Sequence, residues 1–497
     1  MQERGAEMSK FSVYLKELLD QRGEPIARVA KNVGIERTSI YKALKDERTM
    51  PYTALKKLIQ YLQLTLSQVW ELNQYYEMLL QGEDIYRIQE AICDLLGELS
   101  HLHFSGYQKA GFPAAQRDMT DVTGLICGKS QVESVIRTVL RWEVENRKGA
   151  ELSLYLPSHS DLTDSLPGLW QNGENFAVRQ LVSFKPNHSG AGTHVENLHL
   201  LQKILPLAFV SGGSYFAYYY FENSTVPVNI NPLSYFIITP NYLITMDTKM
   251  SAAQFQADTS LIQLYEKRFR QILTECQPLN SYSSQPEYIL EAYMQSTDED
   301  GYYTLMPQPC LGHYYTRERI ERQFLDVPGL ENLIELSDRR MERLRNLNSN
   351  YYTIFSEEGL RSLAQNGVMV DLPSEFVKPF SLKLRWELFC ELRKDIEADV
   401  IRGCFADTEK LPIPPYLAFT CDPRYGVHIY AVQSFIGGAY ACNLHIEESS
   451  IGQTFCEFIR SLPNSKFVYP KERTLAVLDE LIRDMEEAME KGDENID

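Results

Sequence analysis

Histidine, lysine, serine and cysteine carry much of protein chemistry, and in this 497-residue chain their spacing mostly argues against it. None of the nine histidines is followed two residues later by a lysine, which excludes an H-x-K nucleophile motif. The stretch GLICGKS, Gly124–Ser130, approaches a phosphate-binding glycine-rich loop. It is one residue short, Thr123 stands where the first glycine belongs, and no strand pattern precedes it. His194 and His199 lie five apart around Glu196, which does not match H-E-x-x-H and reads as a polar helix surface. No G-x-S-x-G elbow occurs, and the nine cysteines, Cys93 to Cys456, contain no C-x-x-C pair. They read as reduced, buried thiols of a cytoplasmic protein. These spacings predict no metal, no cofactor and no catalytic residue, and so no enzyme.

A different chemistry is concentrated near the start, in VAKNVGIERTSIYKALKDERTMP, Val29–Pro51. From Ser9 to Thr65 there are eleven Lys and Arg against six Asp and Glu, although the whole chain has a net charge of −18. The acidic remainder would repel phosphate, which confines any nucleic-acid contact to the basic head.

Helical periodicity positions that cluster. Leu15, Leu18 and Leu19 form one apolar stripe, and Gly23 offers a left-handed stop. Pro25 suits the first turn of a second helix with Ile26, Val29 and Ala30 inward. Gly34 permits a turn of positive φ, and Ile35, Ile40 and Leu44 return to the core. Leu55, Leu58, Ile59 and Leu62 supply a further helix after Met50-Pro51. Ala30, Gly34 and Ile40 have the spacing of a helix-turn-helix. On these residues the segment 9–70 resembles the Cro/lambda-repressor-like (XRE-type) DNA-binding domain, over about one seventh of the chain.

The resemblance implies that the helix after the turn enters the major groove and reads base edges with Arg37, Thr38, Tyr41 and Lys42. Arg37 would bond a guanine and Thr38 would touch a thymine methyl. Ser39, Lys45, Arg48, Thr53 and Lys56 would hold phosphates. Two residues depart from the family pattern. Ile26 replaces the usual phosphate-binding glutamine, which weakens backbone anchoring. Glu36 replaces the usual Ser or Thr cap, and either reads a cytosine or penalises wrong sites.

Beyond the head, Ile85, Ile88, Ile92, Leu95, Leu99 and Leu102 alternate three and four apart across residues 71–105. The spacing fits either a helix packed on the body or a short coiled coil joining two chains. Gly106, Gly111 and Pro113 mark a hinge. From residue 120 the pattern is mixed α and β, predicting two subdomains, 120–280 and 287–490, parted by the polar segment 277–286. Strands are expected at 152–156, 176–184, 215–221, 302–306, 416–420, 427–432 and 439–445. A hairpin over 235–247 turns at Pro240-Asn241. Ser130/Glu133, Ser251/Gln254 and Ser450/Gln453 read as capping boxes opening helices. The tail from Lys491 is too charged to fold.

Both halves end strand–strand–helix. The layout has a passing similarity to phospholipase-D-like enzymes, whose nucleophile motif the histidine spacing excludes. The uncharged runs 204–221 and 223–246 are broken by prolines and glycines and rich in Tyr, Asn and Thr, so they read as strands and not membrane spans.

SYFAYYYFEN, Ser214–Asn223, has tyrosines on both strand faces, Tyr218 and Tyr220 on one and Tyr215 and Tyr219 on the other. Either it is an aromatic core strand, or one face walls a ligand pocket. The expected protein is therefore multidomain: an all-α helix-turn-helix head, a helical linker and a large α/β (α+β) region. Its expected function is transcriptional regulation at a double-stranded DNA operator, as a homodimer, with a small-molecule or peptide effector and no membrane contact. Two alternatives are an enzyme with an autoregulatory head and an antitoxin-like scaffold that binds a protein partner.

Overall fold

Polar caps and left-handed residues cut the first ninety positions into helices, as seen in a computed structural model of the chain. It describes residues 8–101, 122–158, 160–170, 175–186, 191–222, 233–283, 301–325, 330, 331, 334, 335, 338, 339, 342, 350–370, 372, 377–422, 426–431, 441–446 and 449–492. The chain divides into two units, Met1–Glu90 and Ala91–Asp497.

In the first unit α1 (Lys10–Arg22) begins where Ser9 Oγ accepts the Ser12 N–H at 3.1 Å and ends at Gly23. Helices α2 (Ile26–Val33), α3 (Arg37–Leu44) and α4 (Tyr52–Leu62) follow. A reciprocal Thr65–Gln68 capping box opens α5 (Leu66–Gln81). Phe11, Leu15, Val29, Ile40, Leu55 and Leu58 are wholly buried in one core. Asp46, at φ 57° after α3, accepts the Ser9 N–H at 2.6 Å and also bonds the Ser9 and Ser12 hydroxyls. It thereby ties the loop behind α3 to the start of α1.

Helix α6 (Glu83–Ser100) starts in the first unit and ends in the second. Its apolar seam resolves the choice left open by the spacing. Ile92, Leu95 and Leu99 are at most 1 % exposed within a single chain, so they are packed on the body and do not form a coiled coil with a second chain. Only Ile85, at the other end, is well exposed. Leu102 and the expected hinge lie outside the described residues.

The second unit holds two sheets. The first is built from β1 (Gly124–Cys127), β2 (Ala150–Tyr155), β3 (Phe176–Phe184), β4 (Tyr215–Phe221), β5 (Tyr235–Ile238), β6 (Leu243–Met246), β7 (Ala252–Gln256) and β8 (Gln277–Pro278). Its order is β1-β7-β6-β5-β2-β3-β4-β8. Helix α7 (Lys129–Asn146) joins β1 to β2, α8 (Asp161–Ser165) precedes β3, α9 (Ala191–Val210) joins β3 to β4, and α10 (Thr259–Leu273) follows β7.

The second sheet comprises β9 (Asn280–Ser283), β10 (Tyr302–Leu305), β11 (Tyr351–Phe355), β12 (Ile401–Phe405), β13 (Leu417–Asp422), β14 (Gly426–Ala431) and β15 (Ala441–Ile446). Its order is β12-β11-β10-β13-β14-β15-β9. Read from the other edge, each strand is the eighth after its counterpart in the first sheet. Directions repeat as well: β2, β3 and β4 are mutually parallel, as are β10, β11 and β12. β5 and β13 then pair antiparallel with β2 and β10. The body is one strand plan used twice, and the segment 277–283 ends one copy and begins the other.

Several local expectations are corrected. Helix α7 starts at Lys129 behind Gly128, with no Ser130–Glu133 box, because the Gly128 N–H is held by the Ser251 carbonyl at 2.7 Å. Residues after Ser251 form strand β7 and not a helix. Asp247 binds the N–H groups of Ser251 and Ala252 at 2.6 and 3.0 Å and turns the chain back beside β6. Asp258 caps the helix that follows. Between the strands expected at 302–306 and 416–420 the structure adds β11, whose five residues are all buried and so show no alternation, and β12. Beyond helix Ser449–Ser461 a further helix runs over Lys471–Gly492 and takes in the first two residues of the charged tail; the rest of that tail lies outside the described residues.

Candidate nucleic-acid interface

The geometry around Gly34 follows from side-chain size. At φ 70° it closes α2, and the Ile35 N–H bonds the Ala30 carbonyl at 3.1 Å. Ala30 is 2 % exposed and Ile40 is fully buried, so α3 is held against α2 by small and branched side chains. That packing turns Arg37, Thr38, Tyr41 and Lys42 outward, while Ser39 is half-buried.

Arg37 lies over the Tyr41 ring at 5.1 Å, with its guanidinium donating to the phenol oxygen at 3.4 Å. The pair presents a cation and a hydroxyl from one turn of helix. Glu36 makes no side-chain cap bond; it accepts the Thr38 hydroxyl at 3.3 Å. Lys45 and Arg48 are exposed in the loop beyond α3, and Lys45 lies 4.0 Å from Glu47. Thr53 and Lys56 are exposed on α4, whose first turn has no side-chain cap.

Two contributors were missed from spacing. Tyr52 is 45 % exposed and carries Lys56 over its ring at 4.9 Å. Asp46 fixes the loop that carries Lys45 and Arg48, and its carboxyl is held below the usual aspartate range. Burial pushes the group up, but the bonds from Ser12 and Ser9 outweigh it. An aspartate just past a helix end, where a left-handed residue is needed, was the available signal.

The tyrosines of β4 are core residues, which corrects the ligand-wall expectation. Tyr215, Tyr219 and Tyr220 are 0, 2 and 9 % exposed. Tyr215 donates to Gln180 Oε1 at 2.9 Å, Tyr219 donates to Gln277, and the Tyr220 and Tyr155 hydroxyls meet at 2.8 Å. Tyr218 is half-buried against the cluster beneath α10. The hydroxyls of Tyr215, Tyr219 and Tyr220 are satisfied inside the protein.

Elsewhere, Gly124–Cys127 is an extended strand, and Lys129 pairs with Asp161 at 2.9 Å, so GLICGKS forms no phosphate cradle. His199 is exposed on α9, and the side chain of His194 lies outside the described residues. Among the described residues no group of three or more His, Cys, Asp or Glu is placed to hold a metal, and no helix is long and apolar enough to cross a membrane.

No family model matches the chain, and no curated protein sequence does. Among solved structures, TrmBL2, an archaeal chromatin protein, is 11 % identical, with 55 % of this chain and 96 % of that one covered at a TM-score of 0.22. Polyphosphate kinase from Porphyromonas gingivalis is 10 % identical, with 73 % of this chain covered at a TM-score of 0.20. The alignment spans 55 % of that kinase. Both scores are too low to carry an argument.

Proposed function

We propose that the chain is a sequence-specific DNA-binding regulator, with a Cro/lambda-repressor-like (XRE-type) head and a non-catalytic body that senses an effector. The observation that carries this reading is the α2–Gly34–α3 unit. Its packing faces inward through Ala30 and Ile40 and directs Arg37, Thr38, Tyr41 and Lys42 to solvent in a locally basic segment.

Arg37 reads a guanine and Thr38 a thymine methyl, with Tyr41 and Lys42 beside them. Ser39, Lys45, Arg48, Thr53 and Lys56 hold the backbone, which sets register and the salt dependence. Such a reader acts in the cytoplasm, and paired half-sites call for a homodimer. Its contact lies away from Ile92, Leu95 and Leu99, which are already buried within one chain.

Selection of bound fragments from a random duplex library tests the reading, with a single enriched motif as the expected result. Arg37→Ala then costs about 1–3 kcal/mol at the motif and relaxes one base position. Lys56→Ala weakens all sequences alike and lowers the salt slope. Equal recovery of every sequence by the wild type refutes the proposal.

A further inference from the structure

The C-terminal ends of parallel strands are where α/β sheets bind ligands, because the crossover helices diverge there and leave a crevice. In the first sheet Ser158 beyond β2, Lys185 directly after β3 and Glu222 directly after β4 rim a cavity of about 390 Å³. That volume falls within the range of small-molecule pockets, roughly 300–1,000 Å³. Asp164 of α8, Glu196 and Lys203 of α9 and Glu98 of α6 complete its charged lining.

The site is braced. Asn197, 2 % exposed, accepts the Lys185 N–H and donates to the Lys185 carbonyl, both at 3.0 Å, which fixes α9 to the end of β3. Lys185 pairs with Glu196, whose hydrogen bond raises the Lys185 pKa. Lys203 lies 3.5 Å from Asp164 and donates to the Ser160 carbonyl at 3.2 Å. Four carboxylates thus face two lysine ammonium groups around the cavity. Glu222 accepts the Ser183 hydroxyl at 3.4 Å and acts on Lys185 through space, while among the described residues neither it nor Glu98 forms a salt bridge with a lysine or arginine.

We propose that this cavity binds a small aliphatic diammonium ligand, with Glu98 and Glu222 as its counter-charges. Two ammonium groups balance the two remaining carboxylates, and the acidic body attracts a cation rather than an anion. Glu98 stands on α6, the helix that begins in the head unit. There Glu83 accepts from Lys10 at 2.7 Å and Glu90 accepts from Gln74 at 3.4 Å. A ligand held by Glu98 therefore touches the one helix shared by both units. The regulatory role of the site rests on the proposed DNA-binding function; the binding itself does not.

The test is calorimetric titration of the full-length chain with 1,4-diaminobutane, butylamine and inorganic phosphate. The diamine is expected to bind at least tenfold tighter than butylamine. Glu222→Gln and, on a separate element, Glu98→Gln should each lose at least tenfold, while the exposed Glu409→Gln binds as the wild type. Circular dichroism melting confirms that each variant is folded. Equal affinity for diamine and monoamine, unchanged binding in both folded pocket variants, or tighter binding of phosphate overturns the proposal. Diamine binding in a chain without DNA sequence preference upholds the site and removes the regulator. Sequence preference without diamine binding does the reverse.

Discussion

In the second sheet the residues just beyond the parallel strands are consumed by packing; in the first, their counterparts face a cavity. Pro307, beyond β10, places its carbonyl where a Cβ on Gly359 would stand, 1.9 Å away. Ser356, directly after β11, donates to that carbonyl at 3.0 Å and caps helix Glu357–Asn366 through the Gly359 N–H at 2.9 Å. Asp407, beyond β12, is 8 % exposed and bonds Lys410. Ser158, Lys185 and Glu222 follow the three parallel strands of the first sheet and line open space. One strand plan thus yields core at one strand end and a cleft at the other. The choice falls to the few residues after each strand.

The comparison breaks most visibly at Gly359. Gly359→Ala must push back the Pro307 backbone, and we expect a loss of about 3 kcal/mol, read from the urea midpoint. A loss below about 0.5 kcal/mol would mean that the second sheet has slack at this end as well.

Paired substitutions at equivalent places sharpen the contrast. Ser356→Ala removes a helix cap and should cost about 1 kcal/mol. Lys185→Ala, at the matching position after β3, removes only a partly exposed ion pair, with an expected change within about 0.5 kcal/mol. Similar losses from both variants would erase the distinction.

The smallest effect is one of pH, at the β6–β7 turn of the first sheet. Burial raises the Asp247 pKa, but hydrogen bonds from Ser251 and Ala252 outweigh it and hold the carboxyl below its ordinary value. Its contribution is complete above the unfolded aspartate value, about 3.9, and is lost as pH falls through the lower folded one. The stability gap between wild type and Asp247→Asn should therefore be constant near neutrality and shrink below about pH 4. A gap independent of pH down to acid unfolding would remove the charge from the account.

Legibility followed how each element is stabilised. The helices around Gly34 were readable because small, branched and left-handed residues fall at fixed intervals, and β3, β4 and the β5–β6 hairpin because aromatic and β-branched runs end at turn residues. β11 was hidden by full burial, which removes alternation. The capping pattern at Ser251 misled because Asp247, four residues earlier, captured the same amides first. The repeat of the sheets lies in strand pairing across more than a hundred residues, which no local pattern records. The cavity was invisible for the same reason, since its rim comes from three strand ends and three helices. Tyrosine-rich β4 drew attention to chemistry, yet its hydroxyls serve packing.

The pairing of the outer strands has a consequence for synthesis on the ribosome. In each copy the first strand pairs with one that emerges long after it: Gly124 of β1 faces Phe255 of β7, and Ser283 of β9 faces Ala441 of β15. At roughly 5–20 residues per second, β1 waits some 6–26 s for its partner, and β9 waits somewhat longer. During that interval the nascent chain carries an unpaired edge, which in β1 is only four residues long. Brevity of this kind is a known protection against edge-to-edge association. The order of emergence, and not only the final contacts, therefore bears on how the two copies avoid pairing with one another.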